Sequence, residues 1–141
     1  MILLDTDHLN ILQIGKGPQY ETFAARIDAA GDQHVATTVI TFEEHMRGWL
    51  ASIRRATDIA QQIRPYDQLI ALIRFYQAWE IVGLDTATVD HFENLRKQRI
   101  RIGTMDLKIA SIALANNATL LTANRRDFDQ VPGLQLQDWL A

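Results

Sequence analysis

There is no cysteine among the 141 residues. Disulfide frameworks, thiolate zinc sites, iron–sulfur clusters and thiol nucleophiles are thereby excluded. Proline occurs 3 times and glycine 7 times, too few for a collagen-like or low-complexity chain. No apolar run approaches the roughly 18 residues that cross a bilayer. No basic stretch or small-residue cleavage site precedes Ile2-Leu3-Leu4-Asp5, so no secretory leader is expected and a cytoplasmic location is. An excess of positive charge is also lacking. Lys and Arg number 14 against 17 Asp and Glu, a net −3, unlike a uniformly basic nucleic-acid binder.

What is present is an ordinary globular composition, 48% hydrophobic and 22% charged. The length suits one domain spanning residues 1–141. Charge is unevenly placed: residues 1–46 carry net −5, residues 47–101 net +3 and residues 102–141 net −1. An acidic metal pocket beside a polyanion-gripping surface fits this distribution, and so does a plain solvated surface.

Short apolar or β-branched runs alternate with helical spacing. Residues 2–4, 34–39, 81–84, 119–122 and 134–136 read as strands. Helices are expected at 7–14, where Asp7 is placed to cap, and from Pro18, with Phe23 and Ile27 inward, to Gly31. A further helix is expected from Thr41, whose capping box would be completed by Glu44. Helices at about 54–64 and 66–80 are separated at Pro65. Thr86 begins another, and 107–115 is apolar almost all round, as in a helix buried between layers. This alternation predicts an α/β domain with a central, mainly parallel sheet of four to five short strands flanked by helices.

In such sheets ligands bind beyond the carboxyl ends of the strands. Asp5 closes the first strand, Glu44 follows the second, Asp106 opens the buried helix, and Asn124 and Asp127 follow the strand at 119–122. Adjacent strands would bring all five to one rim. Crowded carboxylates repel one another unless a cation neutralises them. Oxygen donors without Cys or clustered His suit Mg²⁺ or Mn²⁺, and phosphodiester hydrolysis is the chemistry such a site supports. Each residue also has a structural alternative. Asp5 would merely end a strand, Glu44 complete a capping box and Asp106 cap a helix. His8, His34, His45 and His91 show no ligand spacing. Trp49, Trp79, Phe75 and Phe92 have helical spacing and are assigned to the core or a dimer interface.

The residues also carry a family likeness. Ile2-Leu3-Leu4-Asp5-Thr6-Asp7, Thr37 to Gly48 with Glu44 four residues before the Gly, Asp106-Leu107-Lys108-Ile109-Ala110 and Leu120 to Phe128 resemble the four motifs of PIN-domain nucleases, in order. The tail Val131-Pro132-Gly133-Leu134 with Asp138-Trp139 is similar to the VapC toxin branch. The resemblance covers nearly the whole chain. It implies a metal-dependent endoribonuclease, the toxin of a toxin–antitoxin pair, acting on transfer or ribosomal RNA. It further implies a homodimer inhibited by a cognate antitoxin. Asp5, Glu44 and Asp106 are assigned to catalysis and, with Asp127, to the metal. Thr6, Thr122 and Asn124 are assigned to the polar surroundings. Asn124 departs from the Asp often found there.

Position 44 rather than 43 fits the glycine spacing. Neighbouring helix positions diverge by about 100°, which frees Glu43 to pair with Arg47. Arg96, Lys97, Arg99 and Arg101 form the densest basic run and are expected to hold RNA phosphates, with Arg54, Arg55 and Arg64 extending the track. Two alternatives remain open: a non-catalytic PIN-like RNA-binding module, and a haloacid-dehalogenase-like phosphatase, whose two-aspartate loop Asp5-Thr6-Asp7 resembles.

Overall fold

A computed structural model describes residues 1–141. The elements run β1 (Ile2–Leu4), α1 (Thr6–Ile14), α2 (Pro18–Ala29), β2 (Val35–Thr38), α3 (Val39–Arg55), a 3-10 turn at Ala60–Gln62, α4 (Ile63–Tyr76), β3 (Ile81–Val82), α5 (Thr86–Lys97), α6 (Thr104–Ala115), β4 (Thr119–Leu121), α7 (Arg125–Phe128) and β5 (Gln135–Gln137). The five strands form one sheet in the order β3-β2-β1-β4-β5. Every pairing is parallel.

Strand alternation divides the core in two. Leu3 pairs in register with Ala36 and Leu120, and these three face the layer built from α5, α6 and Phe128. Ile2, Leu4 and Leu121 point the other way, onto Leu9, Phe23, Leu72 and Tyr76. Leu3, Leu4, Leu120 and Leu121 are completely buried. Each such side chain contributes about 1.5–3 kcal/mol relative to exposure. Burial on both faces is why β1 reads as an unbroken apolar run. α6 is buried nearly all round, as its composition predicts, and its one internal hydroxyl, on Ser111, donates to the Leu107 carbonyl at 2.7 Å.

Three local expectations shift, two of them because another residue wins the helix start. Thr38, not Thr41, caps α3, its Oγ1 accepting from the Thr41 amide at 3.1 Å. Glu44 is therefore not a capping-box residue. Asp5 caps α1, accepting from Thr6 N at 2.8 Å, which releases Asp7 from that task. Pro65 does not break a helix. It sits in the first turn of α4, where its missing N–H costs nothing, and the interruption comes earlier, at Ala56, whose backbone is extended.

The chain runs outward from β1 through β2 to β3, then returns to the other side of β1 at β4. The point where strand order reverses lies between the carboxyl ends of β1 and β4, at Asp5 and Thr122. Crevices of this kind receive ligands in open parallel sheets.

Candidate active site

Asp5 is only 6% exposed. Its Oδ2 accepts from Thr122 Oγ1 at 2.8 Å, tying the ends of β1 and β4 together across 117 residues of chain. Burial, reinforced by the charge of Asp7 and opposed by the Thr122 and Thr6 hydrogen bonds, raises its pKa from 3.8 to about 6. The rest of the site forms a polar cavity of about 490 Å³, with no hydrophobic residue in its lining. Asp5, Thr6, Asp7, Glu44, Asp106 and Asn124 all line it, together with Asn10 and His45, which sequence reasoning missed because neither has a diagnostic neighbour.

Glu44 projects from the second turn of α3. Its Oε1 is buried and has no hydrogen-bond partner. Burial, then the charges of Asp5 and Asp106, raise its pKa to about 7. Asp106 lies in the first turn of α6, and the cap of that helix is Gly103. Capping therefore explains neither Glu44 nor Asp106. Burial and the charges of Asp127 and Asp7 raise the pKa of Asp106. Asp127 does not line the cavity; it accepts from Asn124 Nδ2 at 3.2 Å. Glu43 turns away and pairs with Arg47 at 2.7 Å.

The carboxylates share this cavity without three of them meeting at one point. Their donor set nonetheless suits a hard divalent cation: all oxygen, mutually repelling, and including an orphaned buried oxygen on Glu44. Asn124→Asp is expected to sharpen the contrast between metal-free and metal-bound protein. Without metal, a carboxylate would replace the donor beside Asp127 and lower the melting temperature by a few degrees. In calorimetric titration, Mn²⁺ should bind more tightly to the variant. Unchanged affinity would remove position 124 from the metal site.

Asp7 has a different role from its neighbours. Its Oδ2 accepts from Ala123 N at 2.9 Å and its Oδ1 meets His8 Nδ1 at 2.5 Å. Burial acts to raise its pKa, but the hydrogen bonds from His8 and Ala123 outweigh it, and the pKa is lowered. His8, completely buried, accepts the Trp139 amide at Nε2 (3.1 Å), which leaves the Nδ1 proton for Asp7. Trp139 is held against Phe23, with the Arg26 guanidinium 4.6 Å above its ring. A relay thus runs from the C-terminal tail through His8 and Asp7 to the loop after β4. His8→Ala would open a cavity and orphan Asp7 Oδ1 and Trp139 N, an expected loss of about 3 kcal/mol. Thermal denaturation should show a drop of about 10 °C; a drop of a degree or two would refute the relay.

Arg96, Lys97, Arg99 and Arg101 lie at the end of α5 and in the turn before α6. None lines the acidic cavity. Arg96 is 3.7 Å from Glu93 and lies over Phe92, and Arg99 has a left-handed backbone, φ 57°. Trp49, Phe75 and Trp79 pack partly buried on the α1/α2/α4 side, and Phe92 on the other.

The family model described as the PIN domain matches residues 2–134. The chain belongs to the PIN-domain family. This membership leaves no place for the phosphatase alternative. Among curated proteins, this PIN domain is 36% identical over 69 residues to ribonuclease VapC2 of Rickettsia felis, covering 46% of the chain and 52% of that protein. It is 28% identical over 83 residues to the tRNA(fMet)-specific endonuclease VapC of Salmonella typhimurium, covering 56% and 63%. The aligned stretches thus span only about half to three-fifths of these relatives' own lengths. Among solved structures, a chain of VapBC2 from Rickettsia felis, bound to a promoter DNA fragment, superposes with a TM-score of 0.77 at 27% identity, over 99% of both chains. VapBC-1 from nontypeable Haemophilus influenzae gives 0.72 at 26%, over 100% of both. Both superpositions extend over essentially the whole chain, the five-stranded parallel sheet included.

Proposed function

We propose that the chain, acting as one nuclease domain over residues 1–141, is a metal-dependent endoribonuclease and the toxin of a toxin–antitoxin pair. The observation that carries this is the acidic cavity at the strand-order switch. Asp5, Glu44 and Asp106 come from three separate elements, all with raised pKa, and cations are absent from its lining. A polyanionic substrate would be repelled by such a cavity unless a cation occupied it. Asp5, Glu44 and Asp106 would hold Mg²⁺ or Mn²⁺, with Asp127 acting from behind Asn124. A cation held there would supply Lewis acidity toward a phosphodiester oxygen and would lower the pKa of a bound water toward neutrality.

The chain's own residues orient this site. Thr122 and Thr6 hold the two oxygens of Asp5 in fixed directions. Asp7 anchors the loop after β4. His45, whose pKa is lowered by burial, is bonded to Tyr76 Oη at 2.7 Å and adds no charge at neutral pH. Burial and the charge of Glu44 push the Tyr76 phenol well above its usual pKa.

The names of the relatives, ribonuclease VapC2 and tRNA(fMet)-specific endonuclease VapC, support an RNA substrate. The VapBC structures support an antitoxin partner. Ile63, Ile70 and Ile73 form an exposed apolar stripe on α4, surface that a protein partner would cover, whether antitoxin or a second copy. No helix is long and apolar enough to cross a membrane, and a cytoplasmic site of action belongs to the same proposal. The test is to incubate the purified protein with total RNA and sequence the RNA ends. New internal ends in Mn²⁺ that vanish in EDTA are expected. Absence of cleavage in either would favour the non-catalytic binding module.

A further inference from the structure

A second hollow of about 310 Å³ lies between α3 and α4, lined by Trp49, Ser52, Arg55 and Arg64 among others. It is joined to the acidic cavity. An intervening hollow of about 360 Å³ shares Asn10, Glu44 and His45 with the acidic site, and Trp49 and Ser52 with the arginine pocket. The periodicity of α3 makes this one groove, since Glu44, Gly48, Ser52 and Arg55 recur at spacings of four, four and three along one face. The groove follows α3 for about 16 Å at 1.5 Å per residue, the reach of a few nucleotides.

Two features point to an occupant. Neither Arg55 nor Arg64 has a carboxylate partner within ion-pair distance; Arg55 contacts only the Ser52 hydroxyl, at 3.3 Å. The nearby Asp58 is turned to the Gln61 amide instead. Gly48 lies in the interior of a 17-residue helix, where glycine is disfavoured relative to alanine. A Cβ there would meet nothing within 4 Å, so no neighbour demands the glycine. What its absent side chain leaves is the open floor of the groove.

We propose that single-stranded RNA flanking the cleaved bond lies along α3, with Arg55 and Arg64 holding its phosphates and Trp49 stacking on a base. This rests on the nuclease reading and adds the path of the substrate to it. The path is distinct from the basic run at Arg96 to Arg101, which lines no hollow joined to the site.

Binding of a fluorescein-labelled single-stranded RNA of about 12 nucleotides, measured by anisotropy in EDTA across salt concentrations, separates the contacts, because each phosphate contact on a single strand contributes about 0.7 to the slope of log K against log salt. Arg55→Gln/Arg64→Gln should lower that slope by about 1.4. Trp49→Ala should weaken binding about tenfold, and Trp49→Phe should restore it. Gly48→Leu should block binding while preserving or raising the melting temperature. An unchanged slope in the double variant, or a slope that moves only when Arg96, Lys97, Arg99 and Arg101 are replaced by Gln, overturns the groove. Cleavage by the unaltered protein in Mn²⁺ is scored separately. If it cleaves and the double-variant slope is unchanged, the groove fails and the nuclease stands. If it never cleaves and the slope falls, the nuclease reading fails and the groove stands.

Discussion

Asp106→Asn and Glu44→Gln are each expected to reduce Mn²⁺-dependent RNA cleavage by at least about 10²–10³-fold, the loss typical when one charge-stabilising group leaves an active site. Glu43→Gln should retain most activity. The adjacent glutamates provide the control. Glu44 Oε1 is buried without a partner in the acidic cavity, whereas Glu43 already pairs with Arg47 on the outer side of α3. Both substitutions remove one negative charge from neighbouring positions, so a general charge effect would make them equal. Asp106 serves no cap and accepts no bond from its own helix end, so its replacement should leave the fold intact. Initial rates on one RNA at saturating Mn²⁺ decide the matter. Equal losses at positions 43 and 44 would show that orientation toward the cavity is irrelevant and would sink the assignment.

Asp5→Asn should make the metal-free protein more stable at pH 8 and have little effect at pH 4. The folded pKa of Asp5, about 6, lies above its ordinary 3.8. A carboxyl group with a raised folded pKa contributes stability that is fully present below the unfolded value and is lost as pH rises through the folded one. The metal-free protein therefore loses this contribution between about pH 4 and pH 7, and Glu44, raised to about 7, adds in the same direction. For Asp5, almost fully buried, the shift corresponds to roughly 3 kcal/mol. The asparagine keeps the local hydrogen bonding: its carbonyl accepts from Thr6 N, and its amide donates to Thr122 Oγ1, which can turn its proton toward Asp7 Oδ2, 3.4 Å away. Urea denaturation in EDTA at the two pH values should show the gain at pH 8 alone. Saturating Mn²⁺ should close the gap by stabilising only the unaltered protein, since ligand binding to the native state adds to its stability. A variant less stable than the parent at pH 8 would mean that Asp5 is chiefly a helix cap.

Strand and helix order was legible in the chain because β1 is buried on both faces and α6 nearly all round, and their runs are predominantly apolar. The three carboxylates were legible for a related reason. An Asp or Glu placed just after an apolar strand, or at the opening of an apolar helix, must lie at the rim of a parallel sheet. The choice of Glu44 over Glu43 came from its spacing to Gly48, helical geometry requiring only that one of the two face away, and the Glu43–Arg47 pair agrees with it.

Local capping was read less well, since Thr38 and Thr41, or Asp5 and Asp7, are chemically equivalent candidates two or three residues apart. Only the strand's end decides between them. When β1 stops at Leu4 and Asp5 takes the cap, Asp7 is released to bind Ala123 N, 116 residues away. No local pattern encodes that bond, nor the seating of Trp139 N on His8, 131 residues away. The groove along α3 has the same origin. Ser52 and Arg55 share a helix face in the sequence, but Arg64 joins them only because the chain turns back at Ala56 and lays α4 against α3. Composition and periodicity determined which layer each element occupies and which carboxylates reach the rim, because burial acts on every residue of a segment at once. Tertiary structure alone decided which polar atoms meet, because a hydrogen bond depends on angstrom-scale placement of groups far apart in the chain.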